Sequence, residues 1–183
     1  NTRIMPRIAP LILAPLALFS GFIVLAALGT PRSELAGSPP APVGRAAPAL
    51  PEQTLDGFAP VPDNVFTRDD ITIVNFWASW CPPCRAEHPQ LLQMQADGLA
   101  IMGVNFKDTA TAASRYLTDE GNPFKGVAFD PQGRASINWG VTAPPETFIV
   151  DGKGTVLFRF SGPLVGSDYE QRFLPELNKA LSH

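Results

Sequence analysis

The chain has 183 residues, a net charge of −3 and a pI near 5.3, so it has no basic field for binding nucleic acid. It contains two cysteines, no glycine-rich phosphate loop and no internal repeat, which excludes a disulfide-dense scaffold, a nucleotide-binding loop and a repeat protein. About 130 residues follow its N-terminal segments, a normal size for one domain.

An uncharged apolar segment runs from Ile8 to Pro31 and follows Arg3 and Arg7. Its length is sufficient to cross a bilayer, and the positive charges before it predict that the N-terminus lies inside and the domain outside. The alternative is a cleavable signal peptide with a small-residue site at Ala27-Leu28-Gly29. We expect a retained anchor in residues 1–31, because the uncharged run is longer than the usual signal core. With either interpretation the domain is exported.

Residues 32–49 are rich in proline, alanine and glycine and have no apolar period, which predicts a semi-extended tether. The folded domain is predicted in residues 50–183. At its start, Leu50 to Phe66 are expected to form a loose N-terminal hairpin that covers one edge of the sheet.

A buried strand followed by a helix is predicted around the two cysteines. Ile71 to Trp77 is apolar, β-branched and aromatic, which is typical of a central strand covered on both faces. Pro82 and Pro83 suit the first turn of a helix, and Gly98 ends it. Cys81 then lies at the helix N-terminus, where unpaired N–H groups and the helix dipole stabilise an anion.

The chain's only cysteines, Cys81 and Cys84, are three residues apart. A disulfide closing so short a loop adds little stability, which leaves a redox dithiol, half of a metal site or a haem attachment point. Haem attachment requires C-x-x-C-H, whereas Arg85 follows the second cysteine, and a structural zinc site would have only His88 and His183 as further ligands. The redox dithiol is therefore favoured, with Cys81 attacking as a thiolate and Cys84 resolving the mixed disulfide.

The rest of the chain alternates strands with helices and ends in a hairpin and a helix, which predicts one α/β domain with a mixed sheet flanked by helices. Further strands are expected at Leu99 to Phe106, Gly126 to Phe129, Thr147 to Asp151 and Thr155 to Phe160. Further helices are expected at Thr109 to Glu120, Arg134 to Trp139 and Ser167 to Ser182.

Two segments resemble the membrane-tethered, thioredoxin-like proteins of bacterial cytochrome c maturation, the CcmG or DsbE type. They are FWASWCPPCRAEHPQL, which holds both cysteines, and NPFKGVAFDPQGRASINWGVTAPPETFIVDGKG. W-C-x-x-C alone indicates only the thioredoxin superfamily, but its combination with CRAEHP, NPF, INWGV and PETF is more specific. The resemblance runs from residue 50 to the C-terminus and implies a thioredoxin fold with a central insertion.

The resemblance also implies a reaction, because members of that family act as specific reductants in the oxidising periplasm. It implies a thiol–disulfide oxidoreductase with a single-pass anchor in the bacterial inner membrane and a soluble periplasmic domain. Electrons would come from a membrane donor of the DsbD or CcdA type and pass to the C-x-x-C-H cysteines of apocytochrome c, or to a CcmH-like thiol protein. We expect a monomer with no metal and no cofactor besides the redox-active disulfide.

By the same resemblance, Pro145 is the cis-proline that faces the dithiol, in a loop that exposes backbone to an extended substrate peptide. Pro144 stands before it where the family more often has an N–H donor. The side chains expected to contact the substrate are Trp80, Pro82, Pro83, Pro144, Thr147 and Phe148. Pro82 and Pro83 offer no donors to Cys81, so we expect a moderately acidic thiol and a reducing pair. His88 is expected to be a surface or capping residue.

Proton transfer to or from Cys84 requires a group other than Asn75, which stands where ordinary thioredoxins carry a buried aspartate. The catalytic candidates are Glu87, one helical turn beyond Cys84, and Glu146, in the PET segment. Burial near a thiol would raise the pKa of either carboxyl group toward neutrality. The alternative is that each is a solvated surface glutamate.

Other functions remain open at this point. A peroxidase of the peroxiredoxin type would need a threonine three residues before its reactive cysteine, where this chain has Ala78. A chaperone of apocytochrome or haem, without essential redox turnover, would use the same peptide-binding surface. A general periplasmic disulfide reductase would share the same mechanism.

Overall fold

The structure is a computed structural model that describes residues 42–67 and 70–182. The predicted anchor, the first part of the predicted tether and His183 lie outside the described residues. Within the described ranges, no helix combines the length and the apolar character that crossing a membrane requires.

Five strands form one mixed sheet in the order β3-β2-β1-β4-β5. Their bounds are β1 Thr72–Trp77, β2 Ala100–Phe106, β3 Gly126–Asp130, β4 Glu146–Val150 and β5 Val156–Ser161. The pairs β1–β2 and β2–β3 are parallel, whereas β1–β4 and β4–β5 are antiparallel. All five predicted strands are present, and their ends differ from the predictions only by about one residue.

The α-helices are α1 Pro82–Ala96, α2 Ala110–Glu120, α3 Arg134–Asn138 and α4 Leu174–Leu181. The elements α2, β3 and α3 lie between β2 and the β4–β5 hairpin in the chain. The helix predicted from Ser167 to Ser182 is present, with a π-helical turn at Asp168–Phe173 followed directly by α4. Pro175, in the first turn of α4, has no N–H to donate to the preceding turn, so a continuous α-helical ladder cannot form there.

The segment before β1 covers the sheet edges but does not form the predicted hairpin. Val127 N donates to Ala59 O at 2.8 Å and Phe129 N donates to Gln53 O at 2.7 Å, so this segment lies along β3. Residues 44–47 bond to the start of β5, where Ala46 forms an isolated bridge with Thr155. Proline has no N–H group to donate, so a regular ladder of backbone hydrogen bonds is interrupted in this segment at Pro48, Pro51, Pro60 and Pro62.

Two apolar clusters lie on the two faces of the sheet. Ile73 and Trp77 of β1 belong to the cluster that also contains residues of α1, α2 and α4, whereas Val74 and Phe76 belong to the other cluster. Because side chains alternate along a strand, Asn75 lies on the α1 side, near the centre of the sheet. Trp139 is fully buried in the second cluster.

Candidate active site

The two cysteines lie where the chain passes from the carboxyl end of β1 into α1. Cys81 is the N-cap of α1 and forms a disulfide with Cys84, with an S–S distance of 2.09 Å. The Cys84 N–H donates to Cys81 Sγ at 3.2 Å. Pro82 and Pro83 have no N–H, so Cys84 supplies the first donor that this helix N-terminus can direct at the sulfur. The donor-poor environment expected from the sequence is therefore present in α1.

The two cysteines of the disulfide are almost completely buried, whereas the residues beside them are exposed. Cys81 is 1% exposed and Cys84 is 3% exposed. Pro82 and Pro83 are exposed beside them. Trp80 is 55% exposed, and its indole N–H donates to the Lys107 carbonyl at 3.0 Å. The surface beside the buried sulfurs therefore includes these rings.

Glu87 lies completely buried, one helical turn beyond Cys84. Its Oε1 accepts from Asn75 Nδ2 at 2.9 Å, and its Oε2 accepts from the Leu164 N–H at 2.8 Å. Burial raises the pKa of Glu87 to about 7, although the hydrogen bonds from Leu164 and Asn75 partly oppose that rise. This carboxyl group is not solvated, and its pKa suits proton exchange near neutrality.

Asn75 connects Glu87 to the neighbouring strand. Its Nδ2 also donates to Thr147 Oγ1 at 3.0 Å, while its Oδ1 is buried with no partner among the described residues. Thr147 is fully buried, so its side chain belongs to this network and not to the surface that a substrate meets.

Glu146 is also buried, but it lies on the opposite face of the sheet from Glu87. Its Oε2 accepts from Arg159 Nε at 2.6 Å and from Ser161 Oγ at 3.2 Å. Arg159 is held in turn by the Gly140 carbonyl, at 3.1 Å from Nη2. The two predicted carboxylates are therefore separated by β1 and β4, and Glu146 is bound in an ion pair.

The Pro144–Pro145 peptide bond is cis, as the resemblance implies. Pro145 is buried and its carbonyl accepts from Gly162 N at 3.0 Å, while Pro144 is half-buried. Phe148 does not reach the peptide-facing surface. It is fully buried and its ring contacts the rings of Phe76 and Trp139, with centroids 5.6 and 5.0 Å away.

His88 is buried, so the expectation of a surface position is wrong, although its contact is of the capping kind. Its Nε2 lies 3.1 Å from the carbonyl oxygen of Gly121, at the end of α2, and its ring packs edge-on against Tyr116. Burial lowers the pKa of His88. Nowhere in residues 42–67 and 70–182 do three or more His, Cys, Asp or Glu side chains group so as to hold a metal ion.

Three residues that bond to the site were not identified from the sequence. Arg159 and Leu164 bond to Glu146 and Glu87 from distant positions in the chain, so no local sequence pattern indicates them. Asp108, which accepts from the Ser79 N–H, could have been found, because it closely follows the second parallel strand, at the sheet edge where polar functional residues gather.

Replacing Arg159 with methionine is expected to destabilise the domain by about 2 kcal/mol, because Glu146 keeps a buried carboxylate and loses its cation. The side chains are 26% and 6% exposed, so water screens only part of the loss. The matched control is Arg115→Met in the Arg115–Asp119 pair, whose side chains are 82% and 60% exposed. We expect that control to change stability by less than about 0.5 kcal/mol. Urea unfolding at pH 7 measures both, and equal changes would show that burial does not matter here.

Comparison with known proteins was made on both sequence and structure. Residues 42–172 match the family described as Redoxin. The chain is 49% identical to the thiol:disulfide interchange protein DsbE homolog of Paracoccus denitrificans, over 97% of this chain and 99% of that protein. It is 41% identical to the thiol:disulfide interchange protein HelX of Rhodobacter capsulatus, over 85% and 88% of the two chains. A crystal structure of a thioredoxin-family thiol:disulfide interchange protein from Chlorobium tepidum covers 75% of this chain and 97% of its own, with 27% identity and a TM-score of 0.55.

Proposed function

Since the chain belongs to the redoxin family, among thiol:disulfide interchange proteins of the DsbE, HelX and CycY type, it is a thiol–disulfide oxidoreductase, and we propose that it works as a reductant. The observation that carries the proposed direction is the environment of Cys81. A helix N-terminus with two prolines directs few donors at that sulfur, so the thiolate of the reduced form gains little stabilisation. Strong oxidants depend on that stabilisation.

In the proposed reaction, the Cys81 thiolate attacks one sulfur of a substrate disulfide, and the second substrate sulfur leaves as a thiolate. The Cys84 thiol loses its proton to Glu87 and attacks Cys81 Sγ in the mixed disulfide. The first substrate sulfur then leaves, the Cys81–Cys84 disulfide forms, and two electrons have passed to the substrate. A dithiol donor must then reduce the pair again. The buried carboxyl group one turn from Cys84, with a pKa of about 7, supports this proton route.

The proposed substrate is the oxidised C-x-x-C-H motif of apocytochrome c, which is reduced before haem attachment. The alternative substrate is a CcmH-like thiol protein that passes the electrons on to that motif. We place the domain in the bacterial periplasm, tethered to the inner membrane by residues 1–31 and reduced by a membrane thiol–disulfide donor. The support is likeness to the DsbE, HelX and CycY proteins. The first of these relatives matches 178 of the 183 residues, so the match includes most of the proposed anchor segment. The exposed rings of Trp80, Pro82 and Pro83 provide the proposed peptide contacts.

The equilibrium reduction potential of the full chain tests the direction of electron flow. It is measured by titration against dithiothreitol and glutathione, with tryptophan fluorescence as the signal. We expect a value nearer to about −270 mV, as in thioredoxin, than to about −120 mV, as in the strongest oxidant of the superfamily. A value near about −120 mV would refute the proposal that the protein acts as a reductant. Equal rates on an oxidised C-x-x-C-H peptide and on one of scrambled sequence would favour a general disulfide reductase.

A further inference from the structure

The carboxylate of Asp108, in the loop that follows β2, accepts several hydrogen bonds, two of them from the active-site loop. Its Oδ2 accepts from the Ser79 N–H at 2.6 Å and from Asn105 Nδ2 at 3.2 Å. Its Oδ1 accepts from the Ser79 hydroxyl at 3.0 Å and from the Thr109 N–H at 2.8 Å. Hydrogen bonds to an ionised acceptor are roughly twice as strong as neutral ones. The carboxylate therefore ties the loop that carries the reactive cysteine to the end of the neighbouring strand.

Lys107, the residue before this aspartate, has a left-handed backbone with φ +46°, and it is the only non-glycine residue with positive φ in the described ranges. Such a conformation persists only where the surroundings determine it. Two contacts do so, since the Lys107 N–H donates to Asp130 O and its carbonyl accepts from the Trp80 indole, both at 3.0 Å. The turn therefore directs a backbone acceptor at the side chain next to Cys81.

The indole N–H of Trp80 is hydrogen-bonded, while much of its ring is exposed to solvent. Its N–H is bonded, yet 55% of the residue is exposed, so the free part is largely apolar ring. An exposed aromatic ring with its polar atom satisfied is the kind of rigid anchor that contributes strongly to protein recognition.

We propose that Asp108 is a positioning residue for the exchange reaction. Together with the left-handed turn at Lys107, it holds Trp80 beside Cys81 so that the indole ring forms a wall against which a substrate peptide docks. The proposal rests on disulfide exchange at Cys81 and not on the identity of the physiological substrate. Asn cannot replace Asp here, because its amide group would face the donors of Ser79 or Thr109 with a second donor.

The test compares a large and a small substrate, using the full-length reduced protein. The large one is a disulfide-bonded C-x-x-C peptide, and the small, uncharged one is bis(2-hydroxyethyl) disulfide. Asp108→Asn is expected to lower the second-order rate constant for the peptide about tenfold, or about 1.4 kcal/mol, and that for the small disulfide less than about twofold. The control Asp119→Asn removes an exposed carboxylate from α2 and is expected to change neither rate.

A double-mutant cycle separates positioning from a general structural role. Trp80→Ala is expected to lower the peptide rate by a similar factor, and Asp108→Asn in that background to add little, because both changes remove the same wall. Additive losses, equal losses for the two substrates, or an unchanged peptide rate would each overturn the proposal. If Asp108→Asn fails to fold, Ser79→Ala removes only the hydroxyl bond and is expected to lower the peptide rate about threefold. If the wild-type protein does not reduce an apocytochrome peptide, the proposed function is refuted, but the comparison of Asp108→Asn with the wild type on the two test substrates still stands.

Discussion

Replacing Cys81 with serine is expected to lower the rate of disulfide reduction by more than about a thousandfold, because a hydroxyl group neither ionises near neutral pH nor forms a disulfide. Replacing Cys84 instead is expected to leave the first attack intact and to block the second. The Cys84→Ser protein therefore accumulates a mixed disulfide between Cys81 and the substrate. Non-reducing mass spectrometry with an oxidised C-x-x-C-H peptide measures both outcomes.

The two variants serve as matched controls, since each removes one sulfur from the same buried pair. An adduct with Cys81→Ser and none with Cys84→Ser would reverse the assigned roles. The same variants separate a reductase from a binding chaperone. If Cys81→Ser still supports cytochrome c maturation in cells, the dithiol is not required and the proposed reductant is wrong.

Replacing Glu87 with glutamine is expected to slow the resolving step about a hundredfold at pH 7, the usual contribution of a positioned acid or base. Wild-type protein should show an inflection near pH 7 in that step, since the pKa of Glu87 is about 7, and the variant should lose it. Stopped-flow decay of the mixed disulfide between pH 5 and 9 measures both. Glu170→Gln, at an exposed glutamate, is the control. A wild-type profile without the inflection would remove Glu87 from the reaction.

The same substitution has an expected effect on stability. The pKa of Glu87 is raised from 4.5 to about 7 in the folded protein, so the proton stabilises the folded state. That contribution is fully present below pH 4.5 and is lost as the pH rises through 7, a total of about 3 kcal/mol. Glu87→Gln does not titrate, so its stability should fall less than that of the wild type between pH 5 and 8. Urea unfolding of the oxidised proteins measures this, and parallel pH curves would contradict it.

Glutamine at position 87 can keep a hydrogen bond to each of the two groups that the carboxylate contacts. Its carbonyl can accept from the Leu164 N–H, as the carboxylate does. Its amide can donate to Asn75 Oδ1 once the Asn75 side-chain amide turns over, which moves Asn75 Nδ2 to the buried position where Oδ1 now has no partner among the described residues. Urea unfolding of this variant therefore shows whether its loss of activity reports the missing proton acceptor or a disrupted core.

Local patterns were sufficient for the elements that carry the dithiol. The apolar run of β1, the two prolines after Cys81 and the glycine after α1 follow one another in one stretch of chain, from Thr72 to Gly98, so each acts through its near neighbours in sequence. The helix N-terminus and its shortage of donors follow from the same residues. Local patterns failed where proline competes with regular hydrogen bonding, at the segment before β1, and they did not indicate the π-helical turn before α4.

The sequence by itself determined the redox pair, its place at the start of α1, and the order in which strands and helices follow one another along the chain. Only the tertiary structure decided that Glu87 bonds to Leu164, 77 residues away, and that Glu146 lies on the other face of the sheet with Arg159. The physical reason is that periodicity and turn residues act over short stretches of chain. The partner of a buried polar group depends instead on strand order and register, which are fixed only when distant segments pack together.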